Sequence, residues 1–139
     1  MTKYLLAYIA TLIFMFMVDL IWLSQIAEPL YKAGIGHLMA EKPTLIYAAL
    51  FYLMYIFGIF WFAVKSNINN SIKSAFINGI IFGFFVYASY DLTNLALLKD
   101  WPLKLSIIDI TWGVLLSGSM AAFGQFIFNK TNKKIHQHN

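Results

Sequence analysis

The chain alternates long apolar stretches with short polar breaks, and four of the stretches are long enough to cross a membrane. A hydrocarbon core about 30 Å thick needs about 20 mostly apolar residues in a helix. The stretches that meet this requirement are residues 4–26, 44–64, 73–98 and 103–128. Open strands would leave backbone groups unsatisfied in lipid, and no alternating ten-residue segments of the barrel type occur. We therefore expect an all-α integral membrane protein.

The expected architecture is a four-transmembrane-helix bundle that forms one domain over residues 1–139. Glu28 and Pro29 end the first stretch, and Pro43 suits the first turn of the second. Polar residues 69–71 offer an N-cap to the third stretch. The connection between the first two stretches contains enough apolar residues to form a short helix lying in the membrane interface. Residues 129–139 are expected to form a polar, frayed tail.

Composition supports a membrane environment, since 60% of the residues are hydrophobic and only 12% are charged. The chain lacks cysteine, which rules out disulfides and thiolate metal sites. The net charge of +4 comes from lysines at the ends of the apolar stretches. No basic stripe forms, so nucleic-acid binding is not expected. The first stretch is too long for a signal peptide and has no clean cleavage site, which predicts a retained helix.

The distribution of lysines predicts the orientation of the chain, because four spans place both termini on the same side. The lysines on the terminal side are Lys3, Lys65, Lys73, Lys130, Lys133 and Lys134. Those on the opposite side are Lys32, Lys42, Lys99 and Lys104. Cytoplasmic loops carry an excess of basic residues, so both termini are expected in the cytoplasm.

Asp19, Asp91 and Asp109 stand inside apolar stretches. An ionisable group there costs about 2.5–3.5 kcal/mol on insertion scales and by default marks a functional site. At 1.5 Å per residue, all three lie about 9–11 Å below the outer boundary. We therefore expect one acidic pocket, open toward the outer side and walled by the first, third and fourth spans.

Each aspartate has a polar or aromatic neighbour three residues later, on the same helix face. The pairs are Asp19 with Trp22, Asp91 with Asn94, and Asp109 with Trp112. Tyr52 and Tyr55 of the second span fall at the same height. The candidate residues for ligand or proton binding are Asp19, Asp91, Asn94, Asp109, Trp22, Trp112, Tyr55 and Tyr87. Trp101, in a loop between charges, is expected to anchor the chain at the membrane interface.

Small residues recur every four positions on two of the aspartate faces. In the third span the series is Ala75, Gly79, Gly83, Tyr87 and Asp91, and in the fourth it is Asp109, Gly113, Ser117 and Ala121. Small residues at this spacing allow helix backbones to approach closely in membranes. We therefore expect close contact between the third and fourth spans, with the aspartates on the packing faces.

The sequence leaves open how the buried carboxyls are neutralised or paired. Burial and like-charge neighbours favour the protonated form, and a coupled cluster can share protons. Lysines from the outer loops or His37 could pair with them, or a cation could bind. Oxygen ligands would favour Mg²⁺ or Ca²⁺ over zinc, but a single loop histidine is insufficient to predict a metal site. No motif for a nucleophile, a phosphate loop or a haem indicates a cofactor or a catalytic residue.

The chain resembles the domain-of-unknown-function family 2177, a bacterial family of predicted inner-membrane proteins. The matching segments are Asp-Leu-Ile-Trp at 19–22, Phe-Tyr-Leu-Met-Tyr at 51–55 with Gly58, Tyr-Asp-Leu-Thr-Asn-Leu at 90–95, Trp-Pro-Leu at 101–103, and Asp-Ile-Thr-Trp-Gly at 109–113. The resemblance covers nearly the whole chain except the tail. It implies a four-span protein of the bacterial inner membrane with no assigned catalytic residues. It also implies a link to membrane-lipid or oxidative-stress physiology.

The leading functional hypothesis is a pocket that binds a small or lipid-like molecule. Three alternatives stay open: a membrane-embedded lipid-modifying enzyme that uses paired carboxyls as acid and base, a proton-coupled transporter working as a homodimer, and a structural accessory subunit. A metal requirement would favour the enzyme. An Asp91→Asn variant that keeps full cellular function would favour the structural subunit.

Overall fold

The computed structural model describes residues 2–67 and 71–137, with side chains for residues 3–67 and 71–132. Over these residues the chain is helical apart from short connections, which confirms the all-α class. The helices are α1 (Thr2–Trp22), α2 (Glu28–Ile35), α3 (Leu45–Ile59), α4 (Ile72–Leu97) and α5 (Leu103–Gln137). The segments long and apolar enough to span a membrane are Lys3–Leu38, Leu45–Lys65, Ile72–Leu97 and Leu103–Asn132.

The first helix continues past Glu28 and Pro29 rather than ending there. A π-helical turn, Leu23–Ala27, joins α1 directly to α2, and the Glu28 N–H donates to the Leu23 carbonyl. Proline lacks an N–H and its ring crowds the carbonyl four residues back, so a continuous helix needs a local widening of this kind. The short helix expected between the first two spans is therefore present, as an extension of α1.

α2 packs back onto the end of α4 and the start of α5. Ile35 is buried against Trp101 and Leu105. The Trp101 indole N–H donates to Ser106 Oγ at 2.9 Å, and its ring meets Tyr90 edge-on. Trp101 is thus a buried packing residue, in contrast to the interface anchor expected from its position in a loop.

The contact between α4 and α5 is close enough for backbone atoms to touch. A Cβ atom added at Gly79 would lie 2.5 Å from the carbonyl oxygen of Ser117. One added at Gly83 would lie 2.5 Å from that of Gly113. The small residues spaced by four therefore form the packing face, as the sequence predicts.

α3 packs against the bundle mainly through its second half. Tyr55, Ile56 and Ile59 are buried there, and burial continues into the π-helical segment Phe60–Lys65. In the first half, residues 45–51 are all exposed. These exposed side chains are mainly apolar, so they suit contact with lipid.

The first and last spanning helices meet at their terminal ends. Lys3 Nζ donates to Asn132 Oδ1 at 2.8 Å, which places the start of α1 beside the end of the fourth span. Near this end, Asn67 donates to Gln125 at 3.0 Å. Ser71 caps α4 by accepting from the Ser74 N–H, while the neighbouring predicted cap residues 69 and 70 lie outside the described residues. α5 continues as a helix through Gln137, beyond the apolar stretch that ends near residue 128.

Candidate functional site

A cavity of about 340 Å³ lies among α1, α2, α3, α4 and α5. Its lining residues are Asp19, Trp22, Leu23, Ala27, Tyr31, Phe51, Tyr52, Val86, Tyr87, Tyr90, Asp109 and Trp112. Most of the predicted candidates are among them. Asp91, Asn94 and Tyr55 are not, and the walls include α2 and α3 as well as the three spans expected from the sequence.

Asp19 of α1 accepts hydrogen bonds from two other helices. The Tyr52 hydroxyl donates to Oδ2 at 2.6 Å, and the Trp112 indole N–H donates to Oδ1 at 3.4 Å. The Asp19 residue is only 8% exposed. Both oxygens of the buried Asp19 carboxyl therefore have a donor from a neighbouring helix. Tyr52 was expected at this height, but its bond to Asp19 depends on how α3 packs.

Trp22 and Trp112 stack face to face beside Asp19. Their ring centroids are 4.2 Å apart and the planes differ by 5°. Each tryptophan follows an aspartate by three residues and therefore shares its helix face. Both Asp–Trp pairs, one in α1 and one in α5, line the same cavity.

Asp109 of α5 is the second carboxyl of the lining and is 6% exposed. Its side chain interacts with Tyr31 of α2 and with Asp91 of α4. Tyr31 was not among the predicted site residues. The available signal was the apolar spacing of residues 30, 31, 35 and 38, which indicates a packed helix face in the connection after the first span.

Asp91 lies behind the cavity wall and is completely buried, at 0% exposed. Neither of its carboxyl oxygens makes a well-formed hydrogen bond to a described residue, and the same holds for Asn94 Nδ2. Ser106 and Asp109 nevertheless lie within interaction distance of the carboxyl. Leaving a buried polar group unpaired costs about 1–3 kcal/mol. A single proton held between Asp91 and Asp109 would give the pair one donor and reduce this cost.

Tyr87 of α4 lines the cavity, and Tyr55 of α3 packs beside it without lining the cavity. The Tyr55 hydroxyl lies 2.5 Å from Ser117 Oγ, and its ring centroid is 6.1 Å from that of Tyr87. The Tyr87 ring occupies the space that a side chain at Gly113 would fill. Gly113 therefore allows Tyr87 to reach the cavity.

No cationic side chain pairs with the aspartates in the described part of the chain. The one ion pair found there joins Lys32 and Glu28 on the exposed side of α2, at 2.5 Å. His37 is exposed in the turn after α2. Residues 3–67 and 71–132 contain no group of three His, Asp or Glu side chains close enough to hold a metal. The fold thus brings two carboxyls into an aromatic cavity without a protein cation.

Residues 4–126 match the family model described as "Predicted membrane protein (DUF2177)". Because the match covers most of the chain, the protein belongs to this family. No curated protein and no solved structure matches the chain. The comparisons therefore show that the chain belongs to a family of predicted membrane proteins, and they assign no activity to it.

Proposed function

We propose that this member of the DUF2177 family binds a small or lipid-like molecule in the cavity between Asp19 and Asp109. The observation that carries the proposal is the convergence of two buried carboxyls and a stacked tryptophan pair on one cavity. Ligand sites are typically concave, mostly apolar and equipped with a few convergent polar groups. This site has all three properties.

A structural role for the carboxyls accounts for part of the site only. Interhelical hydrogen bonds in membranes average about 0.6 kcal/mol, whereas inserting an aspartate costs about 2.5–3.5 kcal/mol. Asp19, with donors from α3 and α5, is the residue that best fits such a role. Asp109 lines the cavity and has an acidic neighbour, which supports a ligand-binding role.

The contact between Asp91 and Asp109 supports a second candidate, an enzyme that uses the pair as acid and base. Asp109 would face the bound molecule, and Asp91 would hold or return the proton from behind the wall. This role predicts turnover of a membrane lipid that stops when either carboxyl becomes an amide. Binding without turnover would leave the first proposal in place and remove the second.

The proposed location is the bacterial inner membrane, with both termini in the cytoplasm. The contact between Lys3 and Asn132 supports an even number of crossings, and the lysine distribution supports the cytoplasmic side. In this orientation, the cavity lies in the outer half of the bilayer. A lipid-like ligand would then come from the outer leaflet.

Native mass spectrometry of the protein extracted with its own lipids tests the binding proposal. Asp109→Asn removes the cavity carboxylate with little change of shape, and Asp100→Asn is the matched control because Asp100 is exposed in the loop before α5. Asp100 has a φ of 62°, a conformation that asparagine accepts readily. A specific bound molecule should be kept by the wild type and the control and lost in Asp109→Asn. Identical spectra for all three proteins would indicate a structural role instead.

A further inference from the structure

We propose that the ligand is an organic cation, an ammonium head group carried on an apolar chain. The inference rests on the proposed function and specifies the chemical class that the cavity accepts. Four features of the cavity support it: its charge, its aromatic walls, its poor fit to a metal ion and its exposed rim.

The acidic residues at the cavity favour binding of a cation that the chain itself does not supply. Asp19 and Asp109 line the cavity and are each more than nine-tenths buried. Asp91, also buried, stands directly behind Asp109 without a well-formed hydrogen bond to the described residues. The sequence contains no arginine, and the ion pair found among the described side chains lies elsewhere. An ammonium group would supply the opposite charge where the fold does not.

The walls of the cavity suit a bulky, weakly hydrated cation. Trp22 stacks on Trp112, and Tyr52, Tyr87 and Phe51 line the same space. Aromatic ring faces attract cations, and cages of such rings recognise quaternary ammonium groups. A carboxylate beside the rings strengthens the attraction because little water screens the pair.

A metal ion fits the same cavity poorly. Ca²⁺ takes about 6–8 oxygen ligands, and Mg²⁺ demands near-octahedral oxygen geometry. Aromatic carbons cannot serve as ligands, and both oxygens of Asp19 already accept hydrogen bonds from Tyr52 and Trp112. No third acidic or histidine ligand joins the two lining carboxyls among the described residues.

The rim of the cavity indicates where an apolar chain would lie. Leu23, Phe51 and Tyr90 line the cavity, and each is more than a third exposed. They belong to the π-helical turn after α1, to α3 and to α4, so we infer that the opening lies among these three elements, beside the exposed first half of α3. A hydrocarbon tail leaving through this opening would contact lipid directly.

Two matched probes test the inference in nanodiscs made of phosphatidylglycerol, a lipid without an ammonium group. One probe is dodecyltrimethylammonium, and the other is its neutral analogue with a tert-butyl group in place of the ammonium. Binding is followed through tryptophan fluorescence, since Trp22 and Trp112 stand at the cavity. The wild type and Asp100→Asn should bind the cation at least about tenfold more tightly than the analogue. Asp109→Asn should reduce this selectivity to about threefold or less while still binding the analogue.

A second variant keeps the inference testable if Asp109→Asn fails to fold. Trp22→Leu keeps every carboxyl but removes one aromatic wall, and Trp112 still reports binding. It should also lower the selectivity for the cation. Comparing variants in the same nanodiscs removes the effect of probe partitioning into the anionic bilayer.

The outcomes separate the inference from the function on which it rests. Equal binding of both probes by the wild type would overturn the inference that the ligand is a cation. The cavity would then remain a binding site for apolar molecules. Dodecanoate serves as a third, anionic probe, and tighter binding of dodecanoate than of the cation would also overturn the inference. If neither probe binds, the inferred ligand class is wrong. The native mass spectra alone then decide whether the cavity binds any molecule.

Discussion

Asp19 and Asp91 are both buried acidic residues, yet their surroundings predict responses of different size to the same substitution. Asp19→Asn should lower the free energy of unfolding by about 1–3 kcal/mol, because the amide cannot accept from both Tyr52 and Trp112. Asp91→Asn should change it by less than about 1 kcal/mol, because Asp91 has no well-formed hydrogen bond to the described residues to lose. Reversible unfolding in mixed micelles measures both. Equal losses would show that Asp91 has a hydrogen-bond role similar to that of Asp19.

The hydrogen bond between Tyr52 and Asp19 can also be tested by removing its donor, the Tyr52 hydroxyl. Tyr52→Phe removes the donor that lies 2.6 Å from Asp19 Oδ2, a hydrogen bond to a charged group worth about 1.5–3 kcal/mol. Tyr47→Phe, on the same helix, is the control because Tyr47 is exposed. Thermal unfolding in one detergent should show a lower midpoint for Tyr52→Phe only. A similar shift for both variants would point to a general effect of losing a hydroxyl from α3.

At the scale of the elements, the contact between α4 and α5 depends on the absence of side chains. Gly83→Ala would push a Cβ atom to 2.5 Å from the Gly113 carbonyl oxygen, so the helices must separate. We expect a loss of about 1–3 kcal/mol in the free energy of unfolding. Gly36→Ala is the matched control, since an added Cβ at Gly36 meets nothing within 4 Å. Tolerance of alanine at both positions would show that α4 and α5 can shift apart without cost.

The elements also show which parts of the fold could be predicted from the sequence. The spans follow from local hydrophobicity, and the face shared by Gly79 and Gly83 follows from a spacing of four within one helix. The course of the chain after Pro29 could not be predicted, because proline usually ends a helix and the π-helical turn is a local adjustment.

The same distinction applies to the site. Asp19, Trp22, Asp109 and Trp112 were predicted from spacing and equal depth, and the structure places them around one cavity. The position of Tyr31 in the lining could not be predicted, because it depends on α2 folding back toward Asp109. The position of Asp91 behind the cavity wall could not be deduced from its depth in the membrane either. Depth is a property of one helix, whereas lining depends on how several helices pack.

For the whole molecule, the proposed orientation can be measured because the chain contains no cysteine. Glu41→Cys, in the connection before α3, should react with a membrane-impermeant maleimide added to spheroplasts. Lys130→Cys, near the end of the fourth span, should react only after the membrane is permeabilised. The cysteine-free wild type is the background control. The reverse pattern would place both termini outside and the cavity in the inner half of the bilayer.

The exposed first half of α3 determines how the ligand concentration should be expressed. If the cavity opens sideways between α3 and its neighbours, the ligand arrives by diffusion in the plane of the membrane. Occupancy then follows the mole fraction of the ligand among the surrounding lipids rather than its molarity in water. A ligand that makes up a fixed share of the bilayer would fill the site equally in dilute and dense cell suspensions. Added detergent would empty the site by diluting the ligand among micelles, without competing for the aspartates.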